Sequence, residues 1–255
     1  MTTMKGTSLD LADVLKARLI TIDAQRAEAF KRRNPFLPFV DITPGTKEEL
    51  IAPDELAAIA THDIVVAAKE CRGSIGNAHS IYHILQACIA DNMHYLILED
   101  DVTLHPELPE YLIANWAEIS SLDFLALGTN TDAPITFEPM NGMRFSGMFL
   151  QPEDRHPSES RIVEILSSYP RSAITLFKVH KMFGTCAFMV SPSGARKLLD
   201  AAFPLDSTPI DVPLLPHRLL AISFDRKLNS VLEVLDAKIC MPFLAISPND
   251  TKSQR

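Results

Sequence analysis

Three carboxylates stand side by side at Glu99, Asp100 and Asp101, directly after the apolar residues 95–98 in the stretch YLILEDDVTL. Carboxylates this close repel one another, and taking them out of water is costly unless a cation compensates their charge. Mg²⁺ and Mn²⁺ suit such a group, because hard cations bind one or two carboxylates and complete their shell with water and substrate phosphates. Alternate side chains of a strand share a face, so Glu99 and Asp101 are expected on one side and Asp100 on the other. The triplet alone leaves a solvated turn as the alternative.

The apolar pattern around the triplet predicts strands that alternate with helices. Short aliphatic runs, each typical of a strand, occupy residues 18–23, 36–42, 63–69, 95–100 and 123–128. Between the third and fourth runs, apolar residues from Ile81 to Ile89 recur at the spacing of one helical face. This alternation indicates an α/β fold with a mostly parallel central sheet, in which ligands bind at the carboxyl ends of the strands. The three carboxylates fall at such an end.

Residues 130–181 interrupt the alternation. The segment is rich in Pro, Gly, Ser and Met and weakly periodic, which predicts a long irregular excursion within a single domain of residues 1–255. After it, residues 184–191 predict a strand, and Ser191 followed by Pro192 predicts the N-cap and first turn of a helix.

Composition excludes several classes of partner and site. The formal net charge is −8, so the surface field disfavours nucleic acid as a partner. The four cysteines form no C-x-x-C pair, which argues against a zinc ribbon and favours free thiols in a reducing compartment. No segment has the apolar character of a signal peptide or a membrane span. We therefore expect a cytoplasmic protein whose membrane contact, if any, is peripheral to the inner membrane.

Several stretches together, in order and spacing, resemble glycosyltransferase family 25, the family of lipooligosaccharide and collagen galactosyltransferases. The stretches are RLITIDAQRAEAF, GSIGNAHSIYHILQACIADNMHYLILEDDVTL, DFLALG, MFGTCAFMVSPSGARKLL and PIDV. The resemblance runs from about residue 18 to about residue 215 and omits the excursion. It implies a GT-A-type nucleotide-sugar-binding fold, in which EDD serves as the acidic, DxD-like metal motif.

The resemblance also implies roles for particular residues. Asp101 would be the leading ligand of Mn²⁺ or Mg²⁺, with Glu99 beside it, and the metal would neutralise charge on the leaving diphosphate. The residues implied to contact the nucleotide-sugar are Asp23, Arg26, Ser80, Glu99, Asp100, Gly184 and Thr185. Asp211, in PIDV, would be the catalytic base that takes the proton of the acceptor hydroxyl. A helix-terminal carboxylate is the alternative for Asp211, and a plain strand entry is the alternative for Gly184 and Thr185.

The function that follows is transfer of a hexose, galactose in the first instance, from a UDP-sugar donor to the hydroxyl of a saccharide or glycoconjugate acceptor, as in lipopolysaccharide biosynthesis. Thr21 stands where the family commonly has Asn, and Ile81 stands where it has His after the Ser. These differences leave open a catalytically silent sugar-nucleotide or glycan-binding module of the same fold. A nucleotidyltransferase is disfavoured, because no Gly follows Asp23 before Gly45.

Two further groups of residues have open roles. His79 and His83 stand four apart, a spacing at which two imidazoles can bind one metal, although a solvated helix face is the favoured interpretation. Apolar side chains of the excursion predict either a soft wall facing the acceptor or a satellite core. They are Phe137, Met140, Met143, Phe145, Met148 and Phe149.

Overall fold

A mixed sheet lies at the centre of the protein. The structure, a computed structural model, describes residues 9–71, 73–149 and 157–248. The strands of this described part are β1 (Leu15–Thr21), β2 (Val40–Pro44), β3 (His94–Glu99), β4 (Thr103–Leu104), β5 (Phe124–Ala126), β6 (Ile135–Met140), β7 (Met143–Gly147), β8 (Thr175–Lys181), β9 (Ala187–Val190), β10 (Ala237–Met241) and β11 (Ala245–Ile246). Nine of them form one sheet in the order β2-β1-β3-β9-β5-β10-β8-β6-β7, while β4 and β11 pair separately.

Strand directions in this sheet follow from the pairing. β1 runs parallel to β2 and β3, and β5 runs parallel to β10. β9 lies antiparallel between β3 and β5, and the pairs that involve β8, β6 and β7 are antiparallel. Six of the nine strands therefore point the same way, which confirms the prediction of a mostly parallel sheet. The antiparallel direction of β9 brings its first residue to the edge where β1 and β3 end.

Helices cover both faces of the sheet. The α-helices of the described residues are α1 (Ala24–Arg33), α2 (Pro53–Ile59), α3 (His62–Ala67), α4 (Ser74–Asp91), α5 (Leu108–Ile119), α6 (Glu159–Ser167), α7 (Pro192–Ala202) and α8 (Phe224–Val231). Single 3-10 turns occupy Leu11–Asp13, Glu48–Leu50, Ala68–Glu70, Arg171–Ala173 and Leu232–Val234. None of the helices in the described ranges is long and apolar enough to cross a membrane.

The alternation of side chains along β3 explains the two hydrophobic cores. Tyr95 and Ile97 pack into one core with α4, α7 and α8, whereas Leu96 and Leu98 pack into the other with α1 and α5. Successive side chains of a strand point to opposite faces of the sheet. Because β3 is buried on both faces, it contributes to both cores, and the result is a three-layer arrangement. The continuous apolar run before Glu99 is thus an interior strand of the sheet, and the three carboxylates mark the point where the chain leaves the core.

Local sequence signals place two of the helices correctly. α4 covers the periodic segment that includes Ile81 to Ile89, and α7 begins at Pro192, as predicted. The Ser191 hydroxyl accepts a hydrogen bond from the Gly194 N–H at 3.1 Å, which is the expected N-cap contact.

Two predictions about secondary structure are wrong. Residues 63–69, predicted as a strand, lie in α3 and the 3-10 turn after it, where Ile64 and Ala68 are buried at helical spacing and Val66 is exposed. The β-branched residues of this segment predicted a strand. It forms a helix because only one of its faces is buried against the core. The predicted irregular excursion 130–181 contributes β6, β7 and β8 to the main sheet and contains α6. Its residues 150–156 lie outside the described residues.

Candidate functional site

A cavity of about 930 Å³ opens at the edge of the sheet where β1 and β3 end. Eight of the predicted site residues line it: Asp23, Arg26, Ser80, Glu99, Asp100, Asp101, Gly184 and Thr185. They come from the end of β1, the start of α1, α4, the end of β3 and the residues before β9. The position at the carboxyl ends of parallel strands agrees with the rule for open α/β sheets.

Asp100 is bound on both of its oxygens by side chains from the β1–α1 region. Its Oδ1 accepts hydrogen bonds from the Arg26 guanidinium, one of them from Nε at 2.8 Å, and its Oδ2 accepts one from the Thr21 hydroxyl at 2.5 Å. The carboxylate raises the pKa of Arg26 further above its usual range. Asp100 is 8% exposed. Its charge is therefore neutralised inside the protein, and its structural role is to fix the end of β3 against the end of β1.

Glu99 and Asp101 have a different environment from Asp100. The Glu99 carboxyl accepts a hydrogen bond from the Thr185 hydroxyl at 3.1 Å. Burial, followed by the negative charge of Asp101, raises the pKa of Glu99 to about 8. Burial also raises the pKa of Asp101 above its usual value, while Ser247 and Arg26 act in the opposite direction. The folded chain thus holds two neighbouring carboxyl groups whose ionised forms are both disfavoured.

Asp101 has an oxygen without a hydrogen-bond partner. Its Oδ1 is buried and accepts no hydrogen bond from any described residue. A buried, unpaired carboxylate oxygen is costly unless a cation coordinates it. The set of Asp101 Oδ1 and the Glu99 carboxyl therefore fits a hard divalent cation such as Mn²⁺ or Mg²⁺, which prefers oxygen ligands.

The raised pKa of Glu99 predicts how stability depends on pH. A protonated Glu99 stabilises the fold fully below about pH 4.5, its ordinary pKa, and this contribution is lost as the pH rises through about 8. We expect the free energy of unfolding in EDTA to fall between about pH 5 and 8, and Glu99→Gln to reduce that slope. Urea denaturation at several pH values measures this dependence of the free energy of unfolding on pH. Glu118→Gln, at an exposed ion pair with Lys238, serves as the control and keeps the wild-type slope; an unchanged slope in Glu99→Gln would contradict the prediction.

Gly184 allows the backbone to turn where it lines the cavity. Its φ is +81°, and a Cβ there would lie 2.0 Å from the Asn130 Oδ1. Only glycine adopts this conformation without strain in that space. The Gly184 N–H donates to the Asp225 Oδ2 at 3.2 Å, which fixes the approach of residues 184–185 to α8.

The amino end of α4 also faces the cavity. Gly73, Ser74, Gly76 and Asn77 line it, and Gly76 packs so closely on residue 46 that a Cβ would lie 2.0 Å from the Thr46 carbonyl oxygen. Ser80, one turn later, is buried and donates its hydroxyl to the Gly76 carbonyl at 3.0 Å. The first N–H groups of a helix carry partial positive charge, which favours an anion at this wall.

One predicted site residue lies elsewhere. The structure places Asp211 outside the cavity lining, with an exposed side chain that accepts a hydrogen bond from the Arg218 Nε at 2.9 Å. Asp225, which the sequence analysis did not select, lines the cavity and raises the pKa of Glu99 through its charge. Its signal in the sequence was weak, because Ser223 and Asp225 read as an ordinary helix start. Asn130 and Ser247 also line the cavity and were not selected.

The apolar side chains of the excursion do not contribute to this lining. Phe137 packs on Phe145 and Phe177, with ring centroids 5.5 Å apart in both pairs. Four residues on and after the β6–β7 hairpin are largely exposed: Met140, Met143, Phe145 and Met148. All six predicted residues are described, and none lines the cavity. Most of this set is therefore neither a buried satellite core nor part of the cavity wall.

Comparison with known proteins gives one informative match. The chain matches the model of glycosyltransferase family 25 (LPS biosynthesis protein) over residues 21–214. No curated protein matches the sequence. Among solved structures, the crystal structure of A197 from STIV superposes with a TM-score of 0.38 and 10% identity, covering 89% of this chain and 81% of that chain. A similarity this low says nothing about function. The family match covers most of the chain and includes all nine site residues that the sequence predicted, so the protein belongs to glycosyltransferase family 25.

Proposed function

We propose that the protein is a metal-dependent glycosyltransferase that transfers a hexose, galactose in the first instance, from a UDP-sugar to a hydroxyl of a saccharide or glycoconjugate. We further propose that its sheet and cavity are a variant of the GT-A architecture. The observation that carries the proposal is the pair Glu99 and Asp101, which lines a cavity at the strand ends and leaves a buried carboxylate oxygen unpaired. Membership of family 25 supplies the reaction class.

The charge of the cavity supports a metal. Among the described residues, seven carboxylates and three cationic side chains, Arg26, Lys47 and Lys69, line it. Arg26 is already paired with Asp100. A nucleoside diphosphate brought into this field is repelled unless a divalent cation accompanies it. We assign Asp101 and Glu99 to hold Mn²⁺ or Mg²⁺, which would supply neutralising charge to the leaving diphosphate.

Residues of the protein itself would position the donor. The amino end of α4 presents N–H groups to a phosphate, and Lys47 and Lys69 add positive charge to the cavity lining. Asp23 caps α1 by accepting the Gln25 N–H at 2.7 Å, so its exposed carboxylate lies at a fixed place beside the cavity. Gly184 and Thr185, held by the hydrogen bond from the Gly184 N–H to Asp225, complete this part of the lining.

We propose Asp225 as the catalytic base in place of Asp211. Asp225 lines the cavity, whereas Asp211 lies exposed beside Arg218. An inverting transfer needs one carboxylate near the acceptor hydroxyl to take its proton. We expect Asp225→Asn to lower kcat by about 100-fold or more, with UDP binding retained, since general base catalysis contributes about 10²- to 10⁴-fold.

Asp211→Asn is the matched variant for this comparison, and we expect it to keep most of the activity. The measurements are initial rates of transfer and calorimetric titration with UDP. The opposite result, a large loss in Asp211→Asn and none in Asp225→Asn, would restore the base to Asp211 and require the residues around it to move toward the cavity.

The direct test of the proposed function is release of UDP from UDP-galactose. We expect release that depends on Mn²⁺, is stopped by EDTA and increases with a saccharide acceptor. A panel of other UDP-hexoses identifies the donor if galactose is poor. Tight UDP binding without turnover on any donor would show a silent binding module instead, and the absence of both binding and metal dependence would refute the proposal.

A further inference from the structure

A second cluster of metal-ligating side chains lies where α2 meets α4. Glu55 on α2 and His79 and His83 on α4 direct one ligand atom each toward a common point, with all three atoms within 4.8 Å of one another. The Nε2 atoms of His79 and His83 are 3.1 Å apart, and the Glu55 Oε2 lies 3.6 Å from the His79 Nε2. These residues do not belong to the cavity lining described above.

The spacing of these atoms suits one metal ion. Bonds of about 2.0–2.1 Å from Zn²⁺ to nitrogen or oxygen in a tetrahedral shell place neighbouring ligand atoms about 3.3–3.4 Å apart. The separations of 3.1 Å and 3.6 Å lie on either side of that value, and the third, between Glu55 and His83, is at most 4.8 Å. Side-chain rotations could therefore bring all three atoms to coordination distance. Two imidazoles and a carboxylate form a ligand set that Zn²⁺ accepts readily, whereas Mg²⁺ prefers oxygen ligands alone.

Burial determines which ring nitrogen of His79 faces the other two ligands. His79 is 8% exposed, and its Nδ1 has no hydrogen-bond partner among the described residues, so the polar contacts of this ring are made at Nε2. Without a metal, two imidazole nitrogens that face each other share a single proton at best. A cation between them accepts both lone pairs, while Glu55 balances part of its charge.

We propose that Glu55, His79 and His83 form a Zn²⁺ site with an exposed coordination position for water. The site would join α2 to α4 outside the cavity lining, and Leu56 and Ser80, next to two of the ligands, line the cavity. It would therefore stabilise the wall of the cavity. The inference does not depend on sugar transfer, since it concerns a different set of ligands from Glu99 and Asp101.

Calorimetric titration with Zn²⁺ in excess Mg²⁺ tests the site, because Mg²⁺ competes for carboxylates but not for imidazoles. We expect one equivalent of Zn²⁺ to bind and to raise the Tm of the wild-type protein. His83→Ala and Glu55→Gln, both at exposed positions, should weaken binding by about 10- to 100-fold or more. His62→Ala, an exposed histidine outside the cluster, is the matched control and should bind as the wild type does.

The Asp101→Asn variant separates this site from the proposed catalytic metal, because it should keep the zinc equivalent unchanged. Equal zinc affinity in the wild type and His83→Ala would overturn the inference. So would loss of the equivalent in Asp101→Asn, which would place the zinc at the acidic triplet.

Discussion

Replacing Asp101 by Asn is expected to lower kcat/KM for Mn²⁺-dependent UDP release by about 1000-fold or more. A metal ion supplies several kcal/mol of charge stabilisation to a leaving diphosphate, and about 4 kcal/mol corresponds to about a 1000-fold change in rate. The Asp101 Oδ1 is a buried carboxylate oxygen that has no hydrogen-bond partner among the described residues, so it is the atom best placed to hold the cation. The measurement is UDP release as a function of Mn²⁺ concentration.

The same variant is expected to fold at least as well as the wild type when no metal is present. Burial raises the pKa of Asp101, which means that folding disfavours its ionised form. An amide of the same shape removes that charge, so the Tm in EDTA should be unchanged or higher. If activity is lost while the Tm is retained, the variant has lost a metal ligand and has not unfolded.

Asp41→Asn is the matched control for Asp101→Asn. Asp41 lies on β2 with a side chain that is 68% exposed and paired with Arg18, so its removal should change neither activity nor Tm appreciably. An Asp101→Asn protein that kept the Mn²⁺ response of the wild type would show that the cation binds elsewhere. The proposed role of the acidic triplet would then be wrong.

Arg26→Ala is expected to reduce the free energy of unfolding by about 2–3 kcal/mol. The change leaves Asp100 buried with only the Thr21 hydroxyl as a side-chain donor, and removing one partner of a buried ion pair strands the other charge. The figure lies below the usual cost of about 3–5 kcal/mol for fully buried pairs, because the Arg26 side chain is 32% exposed and water can partly replace it. Urea denaturation at pH 7 in EDTA measures the loss.

A double variant tests the cause of this loss. Arg26→Ala combined with Asp100→Asn should be more stable than Arg26→Ala alone, because the stranded charge is removed. Arg18→Ala, at an ion pair whose partner Asp41 is mostly exposed, is the control and should cost about 0–1 kcal/mol. If the free energy of unfolding falls equally in the two arginine variants, the contact between Arg26 and Asp100 stabilises the fold no more than an exposed ion pair does.

Local patterns predicted several elements of the fold correctly. The periodic apolar residues of α4, the Ser191 cap of α7 and the continuous apolar run of β3 each depend on residues close together in the chain. Such signals act within a turn or a strand, so they are visible without tertiary structure. The same reasoning placed Glu99, Asp100 and Asp101 at a strand end, and the ordered motifs indicated the family.

Local patterns predicted the wrong secondary structure where tertiary packing determined which of two local structures forms. The aliphatic run 63–69 had the composition of a strand, and burial of its Ile64 face made it a helix. The segment 130–181 had weak periodicity, yet its β6–β7 hairpin and β8 are aligned by hydrogen bonds to neighbouring strands. Pairing with distant strands supplies a stability that no short window of sequence contains.

The sequence by itself determined that this protein has an acidic strand end in an α/β fold and that it belongs with family 25. Only the tertiary structure decided which environment each carboxylate has, because the partners come from distant parts of the chain. Arg26 lies 74 residues from Asp100 and neutralises it, while Thr185 reaches Glu99 and leaves Asp101 with an unpaired oxygen. The register of β1 against β3 and the antiparallel insertion of β9 create these contacts. Desolvation and charge pairing then give three adjacent acidic residues three different chemical environments.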